Sequence, residues 1–173
     1  MLKSKNIIGY EKLYEFEKQV EIGDITNREG HAAKVYFNLL FGKDFVRGLS
    51  DDINIALDYG YSILLSVFNK EIVSKGYLTQ LGINHKNEFN PFNFSCDLME
   101  PFRILIDEIV FDNKERILDK NYKYDLINVM NRQIKIDGKS QFVSNAVTIF
   151  IKNIVDILDS EKERDLKLLN YEL

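Results

Sequence analysis

The sequence predicts an all-α fold, a compact multi-helix domain with at most one short β-hairpin near residues 134–142. Three observations carry this. Only two prolines, Pro91 and Pro101, and nine glycines interrupt 173 residues, which leaves room for long helices. Apolar residues recur at helical spacing in most segments. The one clear β-turn signal is Asp137-Gly138, flanked by Ile134, Ile136 and Phe142. A content of 45% hydrophobic and 29% charged residues is that of an ordinary folded domain. We read one domain over 1–173, with a lead-in helix in 1–23, a core over 24–160 and a charged tail over 161–173.

Tyr10 to Val20 has Tyr10, Leu13, Tyr14, Phe16 and Val20 at helical spacing before the Gly23-Asp24 break. Thr26-x-x-Glu29 has the form of a capping box opening a helix that runs to Gly42. Asp51 and Asp52 then cap a helix with Ile53, Leu57, Gly60, Tyr61, Leu64, Phe68 and Ile72 on one face, ending near Gly76. Gly60 marks a close helix approach. Leu81 to Phe92, with Gly82, Asn84, Asn87, Asn90 and Pro91, reads as a loop. A helix capped near Asn93 or Ser95 follows and runs toward Asn113, with Pro101 kinking or being tolerated in its first turn. A helix over Tyr124 to Ile134 precedes the hairpin. The last helix starts near Ser144 and presents Ala146, Val147, Phe150, Ile154 and Leu158 to the core.

Composition narrows the function. The lone Cys96 forms no internal disulfide, and with two histidines it excludes a zinc finger or ribbon; a reducing cytoplasm fits. No apolar run approaches a membrane span, and the N-terminus lacks a signal-peptide core. A net charge of -4 argues mildly against a DNA binder that works through a basic surface of its own. Any DNA contact then needs local patches, bound metal or a partner.

The residues that could carry chemistry are acidic groups and an imidazole. Asp97 and Glu100 are three apart, hence neighbours on one helical face, where like charges repel unless a cation or proton relieves them. Oxygen ligands with one imidazole suit Mg²⁺ or Mn²⁺. Plainer readings stand beside this one. Glu29 can complete a capping box, His85 can be a hydrogen-bonding loop histidine, and Asp97 and Glu100 can complement a helix dipole. His31, two residues from Glu29, points elsewhere on its helix and is at best a supporting residue. Cys96 has no basic neighbour to activate it and reads as packing.

Four strings occur in order: Asn27-Arg28-Glu29-Gly30-His31-Ala32-Ala33-Lys34-Val35-Tyr36-Phe37; Asp52-Ile53-Asn54-Ile55-Ala56-Leu57-Asp58-Tyr59-Gly60-Tyr61; Gly82-Ile83-Asn84-His85; and Asp97-Leu98-Met99-Glu100-Pro101-Phe102-Arg103. Together they resemble the Cas-one integrase family of CRISPR adaptation, most similar to its type II branch. The resemblance implies that Glu29, His85 and Glu100 are metal ligands and catalytic residues, with Asp97 supporting them. It implies Mg²⁺ or Mn²⁺ as cofactor and a prokaryotic, cytoplasmic, metal-dependent DNA endonuclease and integrase that inserts spacer DNA into a CRISPR repeat by transesterification. Arg28, Lys34, Lys86 and Arg103 flank the ligands and are the candidates for phosphate contact. The implied partners are spacer and repeat DNA, a second copy in a homodimer and the small adaptation protein Cas-two; no membrane is expected. The family's N-terminal β-rich domain has no counterpart in these residues, so the chain reads as a catalytic piece. The alternative is a truncated, non-catalytic domain acting in dimerisation or in binding the small partner.

Overall fold

The structure, a computed structural model, describes residues 1–21, 23–160 and 171–172. Its helices are α1 (Glu11–Glu17), α2 (Arg28–Phe41), α3 (Asp52–Ser74), α4 (Asn93–Met99), α5 (Arg103–Asp112), α6 (Lys120–Ile127) and α7 (Val143–Asp159). Two 3-10 turns, Glu100–Phe102 and Asn128–Asn131, follow α4 and α6. The predicted hairpin is present as β1 (Gln133–Ile136) and β2 (Lys139–Phe142), paired antiparallel from Gln133–Phe142 to Ile136–Lys139. Asp137 and Gly138 both adopt positive φ, as the two central residues of a tight hairpin require. A short third strand, β3 (Tyr171–Glu172), pairs with the other edge of β1. Within the predicted tail, residues 161–170 and 173 lie outside the described residues.

The long helix α3 is the spine. Asp51 accepts a hydrogen bond from the Asn54 amide, as a cap should, and Gly76 takes a left-handed φ of 83° just past the helix end. Leu57, Leu64, Phe68 and Ile72 on its inner face are fully buried. They pack with α4, α5, α6 and α7 around Phe94, Phe102, Leu105, Ile106, Val110 and Ile151. Gly60 is where α5 comes closest: a Cβ there would lie 2.3 Å from Ile106 Cγ2.

Several expectations shift in detail. α1 is shorter than Tyr10–Val20, has no side-chain cap and buries no residue, so little packing extends it. The segment after Ile117 starts earlier than Tyr124, because Asp119 accepts from the Tyr122 amide and caps α6 there. α7 is rotated slightly from the expected face: Val143, Ile151 and Val155 are buried, while Leu158 is half exposed. Among the described residues, no helix is long and apolar enough to cross a membrane.

The capping box Thr26-x-x-Glu29 is not formed. Asn27 takes a left-handed φ of 53° and makes no side-chain cap. Asp24 does the capping instead, accepting from the amides of Arg28 at 2.6 Å and Glu29 at 2.9 Å. An acid three residues upstream of Asn27 reaches the first-turn amides because the intervening turn folds back on itself. The carboxylate of Glu29 is thereby released from local duty.

Candidate active site

Pro101 lacks an amide hydrogen and cannot continue α4, so the chain tightens into the 3-10 turn Glu100–Phe102 before α5 begins. The expected single helix is therefore two helices joined at Glu100. The joint separates the roles of the two acids. Asp97, inside α4, turns to the preceding loop, whereas Glu100 faces an open cavity of about 760 Å³. Glu29, Ala33, Ile83, His85, Asp97 and Arg103 also line that cavity. Three stretches far apart in sequence thus bring Glu29, His85 and Glu100 to one space.

Asp97 organises the loop that carries His85. Its Oδ2 accepts from the amides of Ile83 at 2.5 Å and Asn84 at 3.0 Å, and its Oδ1 from the His85 amide at 3.0 Å. The same Oδ1 lies 2.5 Å from His85 Nδ1. A carboxylate only accepts, so Nδ1 carries a proton toward Asp97, and Nε2 is the ring nitrogen left for another partner. Burial works to raise the Asp97 pKa, but the His85 ring and the three amides outweigh it and hold the carboxyl below its ordinary value.

The loop is braced from behind. Buried Asn93 donates from Nδ2 to the carbonyls of Gln80 at 3.1 Å and Asn87 at 2.8 Å. Thr79 Oγ1 donates to the Pro91 carbonyl at 2.8 Å, closing the loop's ends. Gly82 has no room for a side chain, since a Cβ would sit 2.3 Å from the His85 carbonyl oxygen and 2.9 Å from Asp97 Oδ2. The expectation of a side-chain cap at Asn93 or Ser95 is replaced by these bonds: Phe92 precedes α4 without a capping side chain, and Ser95 bonds to Asn69.

Glu100 leaves about half of its side chain exposed and pairs with Arg103 at 3.1 Å. Burial within the cavity raises its pKa, Arg103 and His85 oppose the rise, and Glu29 and Asp97 add to it. Negative charge is therefore crowded at this point, and a cation would relieve it. Among the described residues, no three His, Cys, Asp or Glu side chains are drawn together as a ready metal-binding group. The donor set itself, two carboxylates and one imidazole, suits Mg²⁺ or Mn²⁺ with positions left to water and phosphate.

The phosphate candidates separate. Arg103 lines the cavity with its guanidinium 5.1 Å from the Tyr61 ring centre, and its buried Nε has no hydrogen-bond partner. Lys34 lies on a neighbouring groove with Phe37, Phe45 and Arg47 instead. Arg28 and Lys86 adjoin Glu29 and His85 in the chain without lining the cavity. His31 stacks on Phe16, ring centres 6.5 Å apart, and so ties α2 to α1. Cys96 is half-buried, with Asn90 Nδ2 at 3.7 Å from its sulfur.

Sequence reasoning passed over Asp107. This carboxylate is only 3% exposed and accepts from Tyr36 at 2.8 Å and from Tyr61. Burial pushes its pKa up to about 6, against the two tyrosines, Arg103 and Arg47. Its cluster joins α2, α3 and α5 beneath Glu100 and Arg103, which line the adjoining pocket. The signal was present: Asp107 lies among Leu105, Ile106 and Val110 on an apolar face, where an unpartnered carboxylate would be costly.

A helical domain with one open cavity lined by two glutamates, an aspartate, a histidine and an arginine is what the fold and the site define. The family model for CRISPR associated protein Cas1 matches residues 4–145, and the chain belongs to that family. It is 31% identical over 168 residues to the CRISPR-associated endonuclease Cas1 of Neisseria meningitidis serogroup C (strain 8013), covering 94% of this chain and 55% of that protein. It is 26% identical over 145 residues to an endonuclease Cas1 of Francisella tularensis subsp. novicida (strain U112), covering 78% and 46% respectively. The chain thus spans about half the length of these curated relatives. A solved casposase bound to integration product shares the fold, with a TM-score of 0.67, 24% identity and coverage of 87% of this chain and 54% of that one.

Proposed function

We propose that this chain is the catalytic part of a metal-dependent DNA endonuclease and integrase of CRISPR adaptation, with Glu29, His85 and Glu100 holding Mg²⁺ or Mn²⁺. The observation that carries the reading is the convergence of these three residues, from three of the family-like strings, on one cavity. When bound, the cation would activate a water or hydroxyl and offset charge on a phosphodiester. The chain's own groups do the rest. Asp97 fixes the His85 tautomer and ring, leaving Nε2 as a donor of electrons. Glu100 and Glu29 supply acceptor-only oxygens. Arg103, steadied over Tyr61, offers its N–H fork to a phosphate oxygen.

In the integration reaction a 3′-hydroxyl oxygen attacks phosphorus and one P–O bond replaces another. The displaced oxygen leaves as a new 3′-hydroxyl, so no net hydrolysis is needed. DNA, a second copy of the chain and the small adaptation protein Cas-two are the proposed partners. The test is cleavage of branched and duplex DNA by the chain with Mn²⁺, with Mg²⁺ and with chelator. Glu29→Ala, His85→Ala and Glu100→Ala should each lower the rate by orders of magnitude; parental rates in all three would remove these residues from the site.

One observation favours a second reading, a non-catalytic interaction domain. An apolar groove lined by Tyr77, Leu78, Leu81, Ile83, Phe94 and Leu158 opens beside the loop, with Leu78 and Leu81 largely exposed. Association in sedimentation without metal-dependent cleavage would support it.

A further inference from the structure

The loop between α3 and α4 turns two large apolar side chains outward beside the site. Phe89 is 86% exposed and Ile83 58% exposed, with exposed Lys86 between them in sequence. Single exposed apolar residues are ordinary on a surface. These two share a short loop with His85, and Ile83 lines the same cavity. Phe89 is four Cα–Cα steps along the chain from His85, so their Cα atoms lie within ~14 Å of each other.

Phe89 is not exposed through slack in the loop. Its amide donates to Asn87 Oδ1 at 3.0 Å, and the Asn90 amide to the Asn87 carbonyl at 3.1 Å. The Phe92 amide donates to Asn90 Oδ1 at 3.0 Å, and Asn93 holds the Asn87 carbonyl from beneath at 2.8 Å. A chain of asparagine turns, anchored on a buried asparagine, sets the ring in solvent. An exposed aromatic ring three positions along the loop from an exposed lysine offers what an unpaired nucleobase needs: a face on which it stacks, whatever its identity, and an ammonium for its phosphate.

We propose that Phe89 is a base-stacking residue of this site, holding an unpaired nucleotide of the DNA strand near the cavity, with Ile83 as apolar support and Lys86 on the adjoining phosphate. The inference rests on the proposed action on DNA, and the experiment separates the two. The chain contains no tryptophan, so Phe89→Trp supplies a lone indole reporter at the position in question. The variant is titrated, in chelator to prevent cleavage, with a labelled single-stranded oligothymidylate and with a blunt duplex of equal length. Label anisotropy reports binding, and indole emission reports stacking.

Stacking predicts that the single strand quenches the indole in step with the rise in anisotropy, and that the duplex quenches it far less. It further predicts that Phe89→Ala weakens single-strand binding roughly tenfold while leaving the circular dichroism unchanged. If the single strand binds but the indole emission is unmoved, or Phe89→Ala binds like the parent, Phe89 is no stacking residue and the action on DNA still stands. If neither DNA binds the parent, both readings fall.

Discussion

Asp97 Oδ1 lies 2.5 Å from His85 Nδ1 and 3.0 Å from the His85 amide nitrogen, so one carboxylate oxygen positions both the ring and the backbone of the residue that faces the cavity. The paired oxygen holds Ile83 and Asn84 in the same way. Asp97 is thus a support on which the imidazole's orientation depends.

Asp97→Asn should therefore reduce Mn²⁺ affinity by ten- to a hundredfold without removing a proposed ligand. An amide cannot accept on both sides, and its NH₂ would oppose backbone amides. Calorimetric titration with Mn²⁺ checks this. Because the folded-state pKa of Asp97 is depressed, its stabilisation is present above the ordinary value of 3.8 and is lost as pH falls through the lower folded value.

Gly82→Ala should damage the same loop from the opposite side. The new methyl meets the His85 carbonyl oxygen at 2.3 Å, a backbone clash that costs about 1–3 kcal/mol by the usual scale of overpacking. Urea denaturation measures the loss. Metal-dependent DNA cleavage should fall further than stability alone explains, because the displaced residue is His85.

Much of the fold was legible from pattern. Helical periodicity located α3 with its cap at Asp51, and the Asp-Gly turn located the hairpin. Gly60 announced the approach of α5. What could not be read depended on where loops fold back. Asp24 capping α2 from outside the capping-box spacing, and Asp97 bonding fourteen residues upstream, are tertiary events with no local period. The four ordered strings named Glu29, His85 and Glu100, and only the fold set them around one cavity. Asp107 escaped because its partners, Tyr36 and Tyr61, come from two other helices.

The buried Asp107 makes a prediction of its own. A carboxyl raised to about 6 from 3.8 favours the protonated form in the folded state, so stability falls as pH rises across that window. The loss integrates to about 3 kcal/mol relative to an uncharged residue. Asp107→Asn should remove this pH dependence, seen as a flatter midpoint in urea denaturation series between pH 4 and 7.

Asp51→Ala should cost about 1–2 kcal/mol in thermal or urea denaturation. It removes the α3 cap and also the oxygen that receives Asn54 Nδ2 at 2.6 Å. Asn54 in turn fixes the segment Val46 to Gly48 through Nδ2 and Oδ1. DNA-independent Mn²⁺ binding should survive, because Asp51 does not line the cavity.

Glu29, His85 and Glu100 are proposed to hold one divalent cation together. Titration of the chain with Mn²⁺, followed by electron paramagnetic resonance, tests it without DNA. One bound ion per chain is expected, displaced by excess Mg²⁺, with binding largely lost in each of Glu29→Ala, His85→Ala and Glu100→Ala. Unchanged Mn²⁺ binding in all three folded variants would contradict it.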